Sequence, residues 1–477
     1  MAEAEALWTL LEQTGDPVVA AALKSVVAQA DDRSLNRINP IAFAASHGLD
    51  EGETIRTLVH SAQHGLFDMA WSAVCPGCGG VLEIGSALRT LNRPEYLCAF
   101  CRRSDEPTLD ERVEVTFTVN PRIRRIAGHE PDTLPPAEYL RQIFWSSGVD
   151  LPADFEAILE RVTLDIIELE PGERATMSLT LPPGHAAIFD PVTHTTVHFD
   201  VAGEETHERR NLSALFTDEH AHANAAPLRP GPVRFAFENR SKRRALPGVW
   251  LATDEMFGLS RKRRPFLSAT GMFTNQTFRD LYRSGTIDSE QRFKITNLTI
   301  LFTDLRGSTA LYDRVGDLAA FDLVRDHFGA LIATISAEGG SVVKTIGDAV
   351  MATFPTPDRA LRAAMAMRED MDRINAARGR EELALNIGLH EGPCLAVVLD
   401  ERQDYFGQTV NIASRVQKLA DPSAILATRP IVESAEVKRL LAERGYRTDA
   451  RQAALRGVSE ALTIYEIREQ SPGAAAA

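Results

Sequence analysis

Hydrophobic and polar residues alternate along residues 298–304, as they do in a half-buried β-strand. Ile300 and Phe302 fall on the same side of this strand as Asp304, which stands at its end. Downstream, apolar residues recur at helical spacing over 321–335. The pattern therefore predicts a strand that is followed by an amphipathic helix.

Two further strands are predicted over 341–346 and 349–354, and they meet at Gly347-Asp348, a pair typical of a tight hairpin turn. If this hairpin lies beside the strand at 298–304, the carboxylates of Asp304 and Asp348 converge. The order of elements becomes βαββαβ with additions, which predicts a ferredoxin-like antiparallel sheet covered by helices. The remaining predicted elements are a helix over 361–374, strands near 384–390 and 394–400, and a helix from Gly407.

The first 295 residues show shorter and more varied patterns. A helix–turn–helix pattern over 38–70 predicts a winged-helix-like unit, and short alternating stretches between 173 and 250 predict a β-sandwich-like part. The chain as a whole is predicted to be an α+β multidomain protein. Its predicted regions are a helical, winged-helix-like unit (1–72), a ribbon (73–105), a mixed, β-rich regulatory region (106–264), a helical connector (265–295) and a C-terminal domain (296–470).

Composition and charge narrow the class of function. Among 477 residues, 44% are hydrophobic and 25% are charged, which is ordinary for a soluble globular protein. The net charge of −14 argues against a nucleic-acid partner, because such a protein needs a positive surface. No apolar run approaches the ~20 residues that cross a bilayer, and the acidic N-terminus lacks a secretory signal pattern. We expect a cytoplasmic protein with no membrane partner.

Four of the five cysteines form two Cys-x-x-Cys pairs with nineteen residues between them. In a reducing compartment, such pairs are thiolates around a metal more often than disulfides. Four thiolates suit tetrahedral Zn²⁺, and a site with all four positions filled is structural. The sequence predicts a zinc ribbon whose ligands are Cys75, Cys78, Cys98 and Cys101, with a ribbon that has lost its metal, or a redox pair, as the alternatives.

The C-terminal pattern contains the parts of a site for a polyphosphate and its cations. The loop after Asp304 leads into a helix, so that its backbone N–H groups and the helix dipole form a cradle for phosphate. Asp304 and Asp348 offer oxygen ligands of the kind that Mg²⁺ or Mn²⁺ prefers. The predicted phosphate-binding residues are Leu305, Arg306, Gly307, Ser308 and Thr309.

These motifs, together with the stretch Asp404–Arg415, resemble the class III adenylate/guanylate cyclases over roughly residues 296–467. The resemblance implies intramolecular attack of a ribose 3′-hydroxyl on the α-phosphorus, with two Mg²⁺ or Mn²⁺ ions per active site held by Asp304 and Asp348. It also implies that Asn411 orients the ribose and that Arg415 stabilises the transferring phosphoryl group. Asn411 and Arg415 are four residues apart and share one helix face.

The resemblance further assigns choice of the base to Lys344 and Asp404. A lysine donates to N1 of adenine and an aspartate accepts from its 6-amino group, whereas guanine presents the opposite pattern. Arg456 stands where many relatives have a lysine that contacts the triphosphate, and a guanidinium also binds phosphate. ATP is the predicted substrate.

In the family arrangement one subunit supplies the carboxylates and its partner supplies Lys344, Asp404, Asn411 and Arg415, which implies a head-to-tail homodimer. The leading hypothesis is a soluble adenylate cyclase with an N-terminal regulatory region. The alternatives are a guanylate cyclase, a transcription regulator that uses the cyclase-like domain as a nucleotide sensor, and a cyclase-like scaffold without turnover.

Overall fold

A computed structural model describes the chain apart from a few short segments. The described residues are 2–101, 103–218, 221–223, 228–282, 287, 291–306, 316–379, 383–399, 402–458 and 460–470. They form two compact units, the first made of Met1–Pro107 with Arg112–Leu267 and the second of Thr108–Glu111 with Ser268–Ala477. The predicted mixture of helices and sheets is confirmed, whereas the five predicted regions stay predictions.

The first unit begins with four helices whose ends follow from their capping residues. Asp16 accepts hydrogen bonds from the backbone of the second helix, and Asp50 caps the fourth in the same way. Gly48 ends the third helix at φ 64°, in the left-handed region that glycine adopts without strain. The helices of this unit are α1 (Ala2–Thr14), α2 (Pro17–Gln29), α3 (Pro40–His47), α4 (Glu51–Gln63), α5 (Pro136–Tyr139), α6 (Phe155–Val162) and α7 (Asp254–Gly258).

Four sheets make up the rest of the first unit. A three-stranded sheet has the order β2-β1-β5, a two-stranded sheet pairs β3 with β4, and two four-stranded sheets have the orders β11-β10-β12-β7 and β6-β13-β8-β9. The predicted boundary after residue 72 falls inside β1. The strands are β1 (Phe67–Val74), β2 (Val81–Gly85), β3 (Tyr96–Cys98), β4 (Arg103–Asp105), β5 (Val113–Val119), β6 (Thr163–Ile166), β7 (Arg174–Leu181), β8 (Gly184–Asp190), β9 (Thr195–Val201), β10 (Arg210–Phe216), β11 (Ala221–Ala223), β12 (Gly231–Asn239) and β13 (Gly248–Leu251).

The second unit is built on one large sheet of order β15-β16-β14-β17-β19-β21-β20, and β18 pairs with β17 beside this path. Its strands are β14 (Phe293–Leu305), β15 (Ser341–Ile346), β16 (Ala349–Phe354), β17 (Leu385–Leu399), β18 (Arg402–Phe406), β19 (Ile425–Thr428), β20 (Tyr446–Ala453) and β21 (Leu462–Glu469). Its helices are α8 (Ala269–Phe273), α9 (Gln276–Leu281), α10 (Asp317–Ala337), α11 (Pro357–Arg378), α12 (Gln408–Lys418), α13 (Arg429–Glu433) and α14 (Ala435–Arg444). The order β14-α10-β15-β16-α11-β17 is the βαββαβ succession.

Apolar residues of α10 and α11 pack on one face of this sheet and form its core. Leu331 and Ile335 of α10 are fully buried, as are Leu361 and Met367 of α11. They belong to one cluster with sheet residues such as Leu389. The apolar faces of the two helices therefore pack against the sheet, and the polar groups of the candidate site lie at strand ends and turns.

The two strands predicted near 384–390 and 394–400 form a single strand, β17, although Pro393 lies within it. A proline cannot donate a backbone hydrogen bond and is tolerated inside a sheet only at an edge or an irregularity. On the partner strand β14, the pairing register shifts between Ile295 and Leu298, opposite Cys394 and Gly392. Pro393 therefore falls where the ladder is interrupted.

The same irregularity of β14 receives the segment Thr108–Glu111. The Asp110 carboxylate accepts hydrogen bonds from the backbone of Thr296 at 3.0 Å and of Asn297 at 2.9 Å. Leu109 adds a backbone hydrogen bond to Lys294, also 3.0 Å long. Among the described residues, no helix combines the length and the hydropathy that crossing a membrane would require.

Candidate functional site

The two predicted cation-binding carboxylates lie at neighbouring positions of the sheet of the second unit. β14 pairs with β16, and the pairing runs to Thr303 opposite Val350, so that Asp304 follows directly beside the β15–β16 turn that holds Asp348. Burial raises the pKa of Asp304, and the negative charge of Asp348 raises it further. Gln417 and Lys418 of α12 act in the opposite direction on the same carboxyl group. Two like charges are thus held together, which favours a cation between them.

A buried histidine supports the turn that carries Asp348. His327 of α10 has no exposed surface and lies against the backbone of Asp348, and burial lowers its pKa to about 4. Its Nδ1 is 3.3 Å from the sulfur of Met371. A neutral imidazole in the core therefore contributes to the shape of this turn, a role that a single histidine in an apolar helix does not reveal in the sequence.

Lys344 and Asp404, predicted to recognise the base, contact each other directly. Lys344 Nζ lies 2.5 Å from a carboxylate oxygen of Asp404, and the other oxygen accepts a hydrogen bond of 2.8 Å from the backbone of Tyr405. The Asp404 side chain is 11% exposed and that of Lys344 is 40% exposed. The pair therefore offers a donor and an acceptor side by side, with the lysine end open to solvent.

Helix α12 carries the predicted ribose and phosphoryl contacts. Asn411 is exposed, and Arg415 is partly buried one helical turn further on. The guanidinium of Arg415 passes close to Gly457, where an added Cβ would lie 3.3 Å from Nη1. Among the described residues, Arg415 forms no ion pair, and Arg456, next to Gly457, is exposed. The structure thus brings the chain around Arg456 next to Arg415.

Only part of the predicted phosphate cradle can be located. The Leu305 side chain is 2% exposed within the core, and the Arg306 backbone donates a hydrogen bond of 2.8 Å to Ala384. The remaining predicted residues, Gly307, Ser308 and Thr309, lie outside the described residues. A cradle of free N–H groups therefore depends on these three residues.

The four paired cysteines of the first unit converge on one point. Their sulfur atoms all lie within 4.8 Å of one another, with 3.3 Å between Cys75 and Cys101 and 3.5 Å between Cys78 and Cys98. These distances exceed the ~2.05 Å of a disulfide and approach the ~3.8 Å between sulfurs of a tetrahedral site with Zn–S bonds of about 2.3 Å. Gly79, at φ 74°, forms the turn of the first pair. The donor set fits zinc.

Two parts of the chain match models of known protein families. Residues 1–280, more than half of the 477, match the Family of unknown function (DUF5939). The chain belongs to the DUF5939 family. Residues 290–468 match the Adenylate and Guanylate cyclase catalytic domain, so the C-terminal unit contains a class III adenylate/guanylate cyclase catalytic domain.

Individual relatives match part of the chain. An "Adenylate cyclase" of Anabaena cylindrica is 30% identical over 186 residues, which is 36% of this chain and 36% of that protein. The adenylyl cyclase CyaB from P. aeruginosa is 24% identical over 38% of this chain and 98% of that chain, with a TM-score of 0.34. The guanylyl cyclase Cya2 is 20% identical over 39% of this chain and 98% of that chain, with a TM-score of 0.33. The chain spans about a third of the length of the curated relatives it matches first.

In this DUF5939 protein, two residues that the sequence motifs do not include contact the predicted site residues or their neighbours. His327 behind Asp348 is one of these, and Arg279 of α9 is another, since its guanidinium donates a hydrogen bond of 2.8 Å to the carbonyl of Gln403. Arg279 stands in a short polar helix without a recognisable motif, so only the three-dimensional contact reveals it.

Proposed function

We propose that the cyclase domain of this DUF5939 protein is an adenylate cyclase, which converts ATP to 3′,5′-cyclic AMP and pyrophosphate. The observation that carries the choice of ATP is the contact between Lys344 Nζ and Asp404 at 2.5 Å. A lysine donor beside a carboxylate acceptor matches N1 and the 6-amino group of adenine. Guanine has a donor at N1 and an acceptor at C6, so both groups would be mispaired and its binding weakened.

The reaction forms one bond and breaks one. The 3′-oxygen of the ribose bonds to the α-phosphorus, the bond from that phosphorus to the bridging oxygen of the β-phosphate breaks, and the hydroxyl proton leaves to solvent. Asn411 on the exposed face of α12 is suited to hold the ribose. Arg415, which forms no ion pair in the described part of the chain, has a guanidinium available for the charge on the transferring phosphoryl group.

The carboxylates suit a divalent cation because each repels the other. Asp304 is partly buried and its pKa is raised by burial and by Asp348, so a cation would remove an unfavourable interaction. Two Mg²⁺ or Mn²⁺ ions bound there would activate the 3′-hydroxyl and neutralise the phosphates. What the chain itself supplies is the fixed position of both oxygen ligands, at the end of β14 and in the β15–β16 turn.

We also propose that two copies of the chain form a head-to-tail homodimer, in which each site takes Asp304 and Asp348 from one copy and the base-recognition and α12 residues from the other. Exposed apolar side chains near these elements are consistent with such an interface: Ile346 is 54% exposed and Phe406 is 67% exposed. Both flank the site, one at the β15–β16 turn and the other before α12.

In the DUF5939 region, we propose a structural Zn²⁺ held by Cys75, Cys78, Cys98 and Cys101. Three of the four cysteines are almost fully buried, and they share an apolar cluster with Phe144. A centre with four protein ligands leaves no open position, so its contribution is to folding.

Product analysis tests the proposal directly. The full chain is supplied with ATP or GTP and Mn²⁺, and both cyclic nucleotides are measured; we expect cyclic AMP as the main product. Asp304→Ala should abolish product without loss of fold, whereas Asp372→Ala, which removes an exposed acid of α11, should not. Retained activity of Asp304→Ala would refute its role, and cyclic GMP as the main product would refute the choice of base.

Mixing inactive variants tests the dimer. Asp304→Ala and Arg415→Ala damage opposite halves of each composite site. Half of randomly paired dimers are mixed, and each mixed dimer keeps one intact site, so we expect about a quarter of the wild-type activity. An inactive mixture of the two folded variants would contradict the shared site.

A further inference from the structure

The helix that precedes the cyclase sheet contacts the strand that carries Lys344. Gln276, the first residue of α9, accepts a hydrogen bond of 2.8 Å from the backbone of Val342 in β15. One helix earlier, the carbonyl of Phe273 in α8 accepts a hydrogen bond of 3.2 Å from the Ser341 hydroxyl. The connector is therefore fixed to the beginning of β15.

Arg279 extends this contact to both residues of the base-recognition pair. Its Nη2 atom donates a hydrogen bond of 2.8 Å to the carbonyl of Gln403 and lies 3.5 Å from the carbonyl of Val343. These carbonyls belong to the residues directly before Asp404 and Lys344. The guanidinium also lies 6.0 Å from the ring centre of Tyr405, the residue directly after Asp404.

An irregularity of β15 explains why the carbonyl of Val343 can accept a hydrogen bond from Arg279. Between Val342 and Lys344 the pairing of β15 with β16 shifts, so that Val343 has no partner in the ladder. Such a bulge turns the following side chain and leaves the extra residue unpaired. Arg279 contacts the carbonyl of this unpaired residue, Val343.

The two strands of the pair have no ladder with each other among the described residues. β15 pairs with β16, and β18 pairs with β17. Within the sheet that contains both strands, the direct Lys344–Asp404 contact and the Arg279 guanidinium therefore bridge them. Because the peptide group is planar, the carbonyl oxygens of Val343 and Gln403 are rigidly connected to the Cα atoms of Lys344 and Asp404. A group that holds these carbonyls therefore restricts where the two side chains begin.

We infer that Arg279 is a positioning residue for base selection: it holds the peptide groups before Lys344 and Asp404 so that the pair fits adenine. This inference rests on the proposed adenylate cyclase function. Without the guanidinium, Lys344 and Asp404 keep their chemistry and their contact with each other, but the peptide groups before them lose the donor that they share. Binding of ATP then weakens, whereas binding of GTP, which gains no hydrogen bond from the pair, does not weaken in the same proportion.

The experiment uses the full chain and compares Arg279→Met and Arg279→Lys with the wild type. The KM for ATP and kcat are measured by cyclic AMP formation, and GTP is titrated as a competitive inhibitor to give its Ki. Arg429→Met is the matched control, because it removes an exposed arginine of the same unit that pairs only with Glu433 on its own helix in the described chain.

For Arg279→Met we expect the KM for ATP to rise about tenfold, the effect of one lost hydrogen bond to a charged group, with the Ki of GTP changed less than about threefold. Arg279→Lys keeps one donor and should give a smaller rise in the same direction, and it supplies the test if Arg279→Met does not fold. An unchanged KM, or equal factors for ATP and GTP, would overturn the inference. A wild-type chain that makes no cyclic AMP would instead refute the proposed function.

Discussion

Replacing Cys98 by serine would show whether the cysteine quartet holds zinc. Cys98 is fully buried and its sulfur lies 3.5 Å from that of Cys78. Serine is nearly isosteric with cysteine, but its hydroxyl is not one of the ligands that zinc takes in proteins. The substitution therefore removes one of four ligands and changes the packing little.

The expected loss of stability is large because the quartet is part of the apolar core. Three of the cysteines share a cluster with Phe100, Phe144 and Trp145. Structural zinc contributes about 10–16 kcal/mol of binding free energy in zinc-finger peptides, against a total stability of about 5–15 kcal/mol for a domain. Loss of only about 4 kcal/mol lowers Tm by roughly 8–16 °C in a domain of 150–250 residues. We expect the first unit to unfold at least about 10 °C lower in Cys98→Ser.

The assay combines metal analysis with thermal unfolding, and the chain supplies its own control. Cys394 is buried in β17 of the other unit and is not part of the quartet, so Cys394→Ser makes the same chemical change elsewhere. We expect one zinc per chain in the wild type and in Cys394→Ser, and almost none in Cys98→Ser. A wild-type chain purified without chelator that contains no zinc would refute the assignment, as would equal Tm values for the two serine variants.

Three further changes test other parts of the structure. Lys344→Met should raise the KM for ATP about 10–100-fold through the loss of a charged hydrogen bond. It should lower the Ki of GTP, because the mispairing of the lysine with N1 of guanine is removed, and an equal rise for both nucleotides would refute base recognition. Asp304→Asn should abolish turnover yet stabilise the metal-free fold at neutral pH. Burial and Asp348 raise the pKa of Asp304, so the folded chain binds more protons than the unfolded one. The stability of the wild-type fold therefore falls as the pH rises through that raised pKa. That gain in Tm should vanish in acid, where Asp304 is protonated in both states, and a gain independent of pH would contradict the electrostatic origin. Glu114→Gln should destabilise the first unit by about 3–5 kcal/mol in denaturant unfolding, because it breaks a buried ion pair in which Arg37 and Glu114 lie 3.0 Å apart. A loss of less than about 1 kcal/mol would argue against a stabilising role of this pair.

Local patterns in the sequence predict the residues of the candidate site, and the structure adds contacts behind them that those patterns do not reveal. The strand ending at Asp304 and the Gly347-Asp348 turn follow from alternation and turn chemistry, and the pairing of β14 with β16 brings them together. Strand alternation does not reveal the bulge at Val343, because a bulge is defined by the partner strand. Arg279 contacts the carbonyl of Val343 at this bulge and the carbonyl of Gln403 in a strand more than a hundred residues later, so its contacts were not visible in the sequence.

Pro393 is a second position at which the local structure depends on a distant strand. The sequence predicted strands near 384–390 and 394–400, but the structure has one strand that runs through this proline. Pro393 lacks a backbone donor, and it lies opposite an irregularity of the partner strand between Ile295 and Leu298, more than ninety residues earlier in the chain. An element boundary was therefore misplaced because its cause lies in a distant segment.

Both proposed metal centres share a physical feature that separates them from the ion pairs elsewhere in the chain. At the buried Arg37–Glu114 pair, opposite charges lie 3.0 Å apart and offset each other. At Asp304, burial and then a second carboxylate raise the pKa, and in the quartet four sulfurs converge within 4.8 Å. Groups that repel each other when ionised are costly to hold together, so a fold that does so is best explained by a cation that removes the cost. Removing the cation should therefore destabilise the quartet, whereas neutralising one carboxylate should stabilise the metal-free cyclase domain, and the two opposite signs follow from the same cause.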